Sequence, residues 1–308
     1  MNTAVKSQMG PSEWAMLLVL SILWGGAFFF SEVALRDLPP FSVVFLRLAL
    51  GAAALWVVFL ATVPSDQRQN LPWAAFAMMG LLNNAIPFSL LVWGQTEISS
   101  SLASIINAGT PFFTVAVAYM FLKDERLSAI KIGGVIVGFI GILVLFGPEA
   151  LSGDISGFWG QVACVGATIS YAFAGVYGRR FGGLPPLATA TGQVTCSSFI
   201  LLPLVLLVDQ PWALPVPGWD VWGSVLGMAI GSTTIAYILF FRILQTSGAT
   251  NVMLVTFLVP VSAIVLGTLV LGEVLLPKHL VGMALIGAGL AVIDGRLLSL
   301  FGGRRQSG

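Results

Sequence analysis

The sequence predicts an all-α integral membrane protein, ten transmembrane helices built as two inverted five-helix repeats. Three observations lead there. The 308 residues are 57% hydrophobic and only 9% charged, with a mean hydropathy of +0.96, well outside the composition of soluble domains. Apolar runs of about 20 residues, enough for a helix to cross the hydrocarbon core, alternate with short polar hinges. The second half also repeats the first. Ser99 to Leu127 begins with small and polar residues and runs through Pro111 to Glu125; shifted by 149 residues, Gly248 to Leu275 does the same through Pro260 to Glu273.

In chain order the predicted spans are roughly 14–35, 41–61, 73–94, 98–121, 130–147, 158–178, 187–208, 221–241, 249–271 and 280–298. Lys6 ahead of the first run resembles a signal peptide. The run is longer than an ordinary signal core, however, and its Leu38-Pro39-Pro40 exit recurs as Leu184-Pro185-Pro186, so it counts as the first transmembrane helix. The intervening hinges are too short to fold alone, which leaves no extramembrane catalytic domain. Two units are expected, 1–150 and 151–308, acting as one integrated body.

Orientation follows from the lysine and arginine bias between alternate loops. With the N-terminus in the cytoplasm, eleven of the fourteen basic residues fall on the cytoplasmic side, among them Lys6, Arg68, Lys123, Arg126, Arg179, Arg180, Arg304 and Arg305. Only Arg36 and Lys278 face outward, and Arg47 lies inside a helix. Both termini are then cytoplasmic. Five spans per half is an odd number, so the two copies enter the membrane from opposite sides. Many transporters build two alternating gates this way.

Leu23-Trp24-Gly25-Gly26-Ala27-Phe28, Leu38-Pro39-Pro40, Phe45-Leu46-Arg47, Ser101-Leu102-Ala103 to Pro111, and Leu122 to Leu127 together resemble the EamA domain of the drug/metabolite transporter superfamily. The second half, with Gln193 in place of Arg47 and Leu271-Gly272-Glu273 closing helix nine, resembles the usual second copy. The resemblance implies a multi-pass carrier of the bacterial inner membrane. It further implies export of amino acids and related metabolites, with YddG-type aromatic amino acid exporters among the candidates. Glu32 stands where many relatives carry a lysine, so a charge-based substrate inference does not transfer.

The function expected is secondary, non-ATP-driven export of small metabolites, most of all neutral and aromatic amino acids, by alternating access through a central cavity. Export of drugs or other metabolites is the alternative. A membrane-embedded enzyme or a channel is the reading from other classes. The chain has no Walker A, HExxH or GxSxG element and a single histidine, His279, so an enzyme has little to work with. No catalytic residue, metal or cofactor is expected. The partners expected are a small-molecule substrate and the lipid bilayer, with no nucleic acid, and a monomer is favoured.

The repeat also nominates a site. Asn83 and Asn84 on helix three fall opposite Ser232 and Thr233 on helix eight, and Asn107 falls opposite Thr256, each four residues before its proline. A proline removes a donor and disturbs the carbonyl four residues earlier. Pro111 and Pro260 are therefore expected to break their helices and free the carbonyls of Asn107 and Thr256. These polar residues, with Trp24, Phe28, Phe88, Tyr171 and Tyr237 as aromatic walls, are expected to line one cavity and hold a zwitterion. Interhelical hydrogen bonding alone is the competing account. Glu32 and Arg47 are expected to pair near the outer face, structurally or as a proton-coupling device. Glu125 and Glu273, at helix ends, suit pairing or capping. The GxxxG elements, Gly134 with Gly138 and Gly223 with Gly227 and Gly231, suit close helix packing or a dimer seam.

Overall fold

A computed structural model of the chain describes residues 9–122, 128–147 and 157–294. Among these residues there are helices and no strands. The ten spans are α1 (Pro11–Ala34), α2 (Pro40–Thr62), α3 (Trp73–Gly94), α4 (Ser100–Phe121), α5 (Ala129–Phe146), α6 (Phe158–Tyr177), α7 (Pro186–Asp209), α8 (Trp219–Gly248), α9 (249–252 followed by Val255–Val270) and α10 (Pro277–Asp294). Eight of them are long and apolar enough to cross a membrane. Of the other two, α9 is short, and α6 has the length but turns Gln161, Thr168 and Ser170 inward. Prolines open α1, α2 and α7, where a missing N–H costs nothing. Serine hydroxyls cap α4 (Ser99) and α5 (Ser128).

The outward faces are apolar, as lipid requires: Val57, Leu143, Phe199, Leu207 and Leu269 are all exposed. Trp14, Trp73 and Trp219, near span ends, are exposed as well, as in an interfacial aromatic belt. The predicted spans hold to within a few residues, apart from α8, which extends through 30 residues to Gly248.

The packing obeys a two-fold relation that exchanges α1 with α6, α2 with α7, α3 with α8, α4 with α9 and α5 with α10. Helix α1 packs on α9 and on α8; correspondingly α6 packs on α4 and on α3. Helix α2 packs on α8, and α7 on α3. The pairs α2–α7, α4–α9 and α5–α10 join counterparts directly. The halves therefore interleave. Of the glycine motifs, Gly134 and Gly141 on α5 meet the α10 backbone: a Cβ on Gly134 would lie 2.8 Å from the Gly289 carbonyl oxygen, and one on Gly141 2.9 Å from that of Gly282. The α8 stripe behaves differently. Gly227 faces the Phe30 ring, Gly231 faces Leu23, and Gly223 has nothing within 4 Å.

The first segment of α4, Ser100–Asn107, packs on α1, α6, α9 and α10.

Polar links close the face of the bundle that carries the α3–α4 and α9–α10 connections. Glu273 accepts from the backbone N–H of Ser100 (2.8 Å) and Ser101 (3.0 Å) and from the Ser101 hydroxyl. A carboxylate there satisfies orphan donors at the start of α4 and complements the helix dipole. Asp209 accepts from the Ser42 N–H at 2.6 Å and its hydroxyl at 2.8 Å, and Asp37 from the Gly218 N–H at 2.8 Å. Each bond joins one half to the other. The expected capping role thus falls to Glu273. Its counterpart Glu125 lies outside the described residues, as do the basic residues Lys6, Lys123, Arg126, Arg296, Arg304 and Arg305 used for orientation.

Candidate functional site

The interior site is built by irregular winding at matching places in the two halves. Helix α3 winds as a π-helix over Leu81–Ala85, and α8 does so over Gly227–Ile235. In α3 the reason is Pro87, which has no N–H for the Asn83 carbonyl. In α8 the Thr234 hydroxyl donates to the Ala229 carbonyl at 2.9 Å and to the Gly51 carbonyl at 3.3 Å, inserting a side chain into the ladder. A π turn widens the helix and re-aims its side chains. Here it turns Asn83 and Asn84 of α3 toward α7, and Thr233 of α8 toward α2.

The asparagines meet α7 and α8 in one network. Asn83 Nδ2 donates to Gln193 Oε1 (3.1 Å) and to the Tyr237 hydroxyl (3.2 Å). Tyr237 donates to Asn84 Oδ1 at 2.8 Å, and Asn84 Nδ2 donates to Ser197 Oγ at 3.2 Å. Glycine permits the approach, since a Cβ on Gly80 would lie 2.5 Å from the Gln193 carbonyl oxygen. Across the two-fold, Arg47 Nε donates to Thr233 Oγ1 at 3.1 Å. Its guanidinium carbon lies 4.0 Å from the centre of the Phe88 ring, and that ring meets Tyr171 edge to face at 6.5 Å. Arg47 and Gln193 are repeat counterparts, as are Phe88 and Tyr237.

These groups lie inside the bundle. Asn84 is fully buried, and Gln193, Thr233 and Arg47 are nearly so. A buried charge in a membrane helix costs about 2.5–3.5 kcal/mol on insertion scales, and uncharged polar groups there need partners. A cluster of amides, hydroxyls and one cation at the crossing of α2, α3, α7 and α8 is where such a bundle can hold a small polar molecule.

Comparison with known proteins now decides the class. The EamA-like transporter family model matches twice, over residues 12–147 and 158–294. The chain belongs to the EamA-like transporter family. It is similar to the uncharacterized transporter YoaV of Bacillus subtilis, 24% identical over 89% of this chain and 94% of that one. It is also similar to the uncharacterized inner membrane transporter YedA of Escherichia coli K12, 26% identical over 82% and 80%, and to protein PecM of Dickeya dadantii, 25% identical over 92% of each chain. A crystal structure shares the fold, with a TM-score of 0.67 and 20% identity, over 97% of this chain and all of that one. The protein is a multi-pass membrane transporter of the drug/metabolite superfamily.

In this EamA-like transporter the predicted site residues divide. Asn83, Asn84, Phe88, Tyr171, Thr233 and Tyr237 come together. Ser232 instead donates to the Leu23 carbonyl of α1 at 2.5 Å. Trp24 packs on Phe240 with ring centres 5.5 Å apart. Phe28 is buried, and its carbonyl is taken by Gln95. Thr256 is partly buried on α9.

Two expectations are corrected. Glu32 and Arg47 do not pair. Glu32 accepts from Gln95 Nε2 at 3.3 Å, and Arg47 goes to Thr233 and Phe88. Depth is the reason: Glu32 lies near the end of α1 at Ala34, while Arg47 is about two turns into α2 from Pro40, a difference of roughly 8 Å at 1.5 Å per residue. Pro260 does not break α9. It sits inside Val255–Val270, and the interruption is at Met253 and Leu254, where Leu254 N–H bonds back to Asn251 and Thr256 N–H to Met253. In α4 the interruption falls at Ala108 and Gly109, just before Pro111. The Asn107 carbonyl is taken by the Thr110 hydroxyl at 2.7 Å, while the Asn107 side-chain oxygen is buried with no hydrogen-bond partner among the described residues.

Gln193 and Ser197 join the cluster, and the sequence reading did not nominate them. The signal was available, because the repeat sets Gln193 opposite Arg47 and Ser197 opposite Gly51.

Placement of Glu32 outside the cluster makes a prediction. Glu32→Gln should leave folding intact, flux within about twofold of wild type, and the pH profile of transport unchanged, because an amide still accepts from Gln95 and Arg47 loses nothing. Flux measured in proteoliposomes across a pH series checks this. A pH dependence that disappears in the variant would make Glu32 the proton carrier instead.

Proposed function

We propose that this EamA-like transporter is a secondary carrier that exports neutral and aromatic amino acids by alternating access. The observation that carries the reading is the mirrored network of Asn83, Asn84, Gln193, Tyr237, Arg47 and Thr233 beside the Phe88 and Tyr171 rings. Amides and a hydroxyl suit an ammonium group, a guanidinium suits a carboxylate, and the rings suit an apolar side chain. Placing the basic loops in the cytoplasm puts the face closed by Glu273 outside.

Uptake and counterflow of a labelled amino acid panel in proteoliposomes tests the reading. Saturable flux stimulated by phenylalanine or leucine on the far side is the expected result. Asn83→Ala and Asn84→Ala should each lower that flux about tenfold while leaving membrane insertion and chromatographic behaviour intact, since each removes hydrogen bonds of about 1 kcal/mol apiece at the site. Flux of no amino acid, with flux of other small metabolites or drugs, would replace amino acids by that second substrate class.

A further inference from the structure

We infer that Arg47 anchors a carboxylate of the transported molecule, an assignment that rests on the carrier reading above. Arg47 is 7% exposed and its partners are neutral: Thr233 through Nε and the Phe88 face. No carboxylate pairs with it among the described residues, where Glu32 is held by Gln95, Glu273 by Ser100 and Ser101, and Asp209 by Ser42. A guanidinium carries five N–H donors, and among the described residues only the one on Nε makes a hydrogen bond. The four on the terminal nitrogens form the planar fork that matches a carboxylate through two parallel hydrogen bonds. A buried cation normally has an anion beside it. Here the chain supplies none, which leaves that place to the ligand.

The repeat sharpens the chemistry. The counterpart of Arg47 is neutral Gln193, so the cluster is positive at its α2–α8 side and uncharged at its α3–α7 side. One fixed positive charge suits a single carboxylate, with the remainder of the molecule directed toward Asn83, Gln193 and Tyr237. A phosphate dianion would meet only half the compensating charge it needs. Thr233 and Phe88 act as positioning residues, setting the plane of the fork.

Ligand pairs that differ only at the carboxylate test this in the purified full-length protein, with thermal stabilisation as the readout. L-phenylalanine against L-phenylalaninamide and 3-phenylpropanoate against 3-phenylpropanamide are the probes. Each acid should stabilise wild type at concentrations at least tenfold lower than its amide. Arg47→Gln should abolish the difference, and Arg47→Lys, which keeps the charge without the fork, should fall between. A merely structural Arg47 would weaken acid and amide alike. Equal potency of acid and amide in wild type overturns the assignment, as does stabilisation by no acid, or a preference that survives Arg47→Gln in protein that remains monodisperse. Because the wild-type comparison stands without any variant, misfolding of Arg47→Gln does not remove the test. Should phenylpropanoate act as well as phenylalanine, Arg47 keeps its role and the amino acid reading falls. Should phenylalanine and its amide act equally while amino acids are transported, the reverse holds.

Discussion

Gly289→Leu is expected to disrupt the α5–α10 pair and leave the transporter unstable in detergent. A Cβ at Gly289 would lie 2.6 Å from the Gly134 carbonyl oxygen and 2.8 Å from the Gly138 backbone nitrogen. Neither neighbour is the free end of a side chain, so the helices must separate to admit even a methyl group. In lipid there is no hydrophobic drive to hold two helices together, and close backbone contact is what remains. Overpacking a well-fitted core costs typically 1–3 kcal/mol; with backbone on the other side the upper end, about 3 kcal/mol, is expected. Gly289→Ala should be milder than Gly289→Leu but still destabilising. The same two helices carry their own controls. Gly133 on α5 and Gly287 on α10 would have nothing within 4 Å of an added Cβ, so alanine there should be neutral or slightly stabilising through the unfolded state. Thermal unfolding of the four variants, followed by tryptophan fluorescence, decides it. Equal effects at Gly289 and Gly287 would mean that the glycine contact does not hold the pair.

Glu273→Ala should loosen the closed face and move the population toward a state open on that side. The carboxylate accepts from two backbone N–H groups and the Ser101 hydroxyl, and hydrogen bonds to a charged group are worth about 1.5–3 kcal/mol each. Since about 1.4 kcal/mol is tenfold in an equilibrium, losing them exceeds the gap expected between two working states of a carrier. Spin labels on exposed Thr96 and Val274, one on each connection of the closed face, would read the change. A longer distance component should appear in Glu273→Ala and a smaller one in Glu273→Gln, which keeps one acceptor. An unchanged distance distribution would show that Glu273 only caps α4. By contrast, the exposed Arg36–Asp220 pair, 3.6 Å apart on the same face, should contribute little, because solvent and salt screen it.

The ten spans, the duplication and the paired positions of Asn83 with Ser232 and Asn84 with Thr233 were all legible in the sequence. Each depends on something local or repetitive: the length of an apolar run, a proline at a helix start, an offset between two copies. A capping role for Glu273 at a helix end was legible for the same reason, but not that the helix it caps is α4 of the other half.

What the sequence left open depended on depth and direction across helices. Glu32 and Arg47 look like partners along the chain, yet they lie at different depths in α1 and α2, and each bonds to a different residue, Gln95 and Thr233. Pro260 holds the same place in its repeat as Pro111, but α9 runs through it and the tighter turns fall earlier, at Met253 and Leu254. The π turns depend on which hydroxyl or proline can interrupt the ladder once neighbouring helices are in place. The meeting of the two halves is the furthest from the sequence. An inverted repeat specifies two nearly equivalent copies, and only tertiary packing brings Glu273 of one to the Ser100 and Ser101 backbone of the other, because such a bond needs both helix ends at the same place in space.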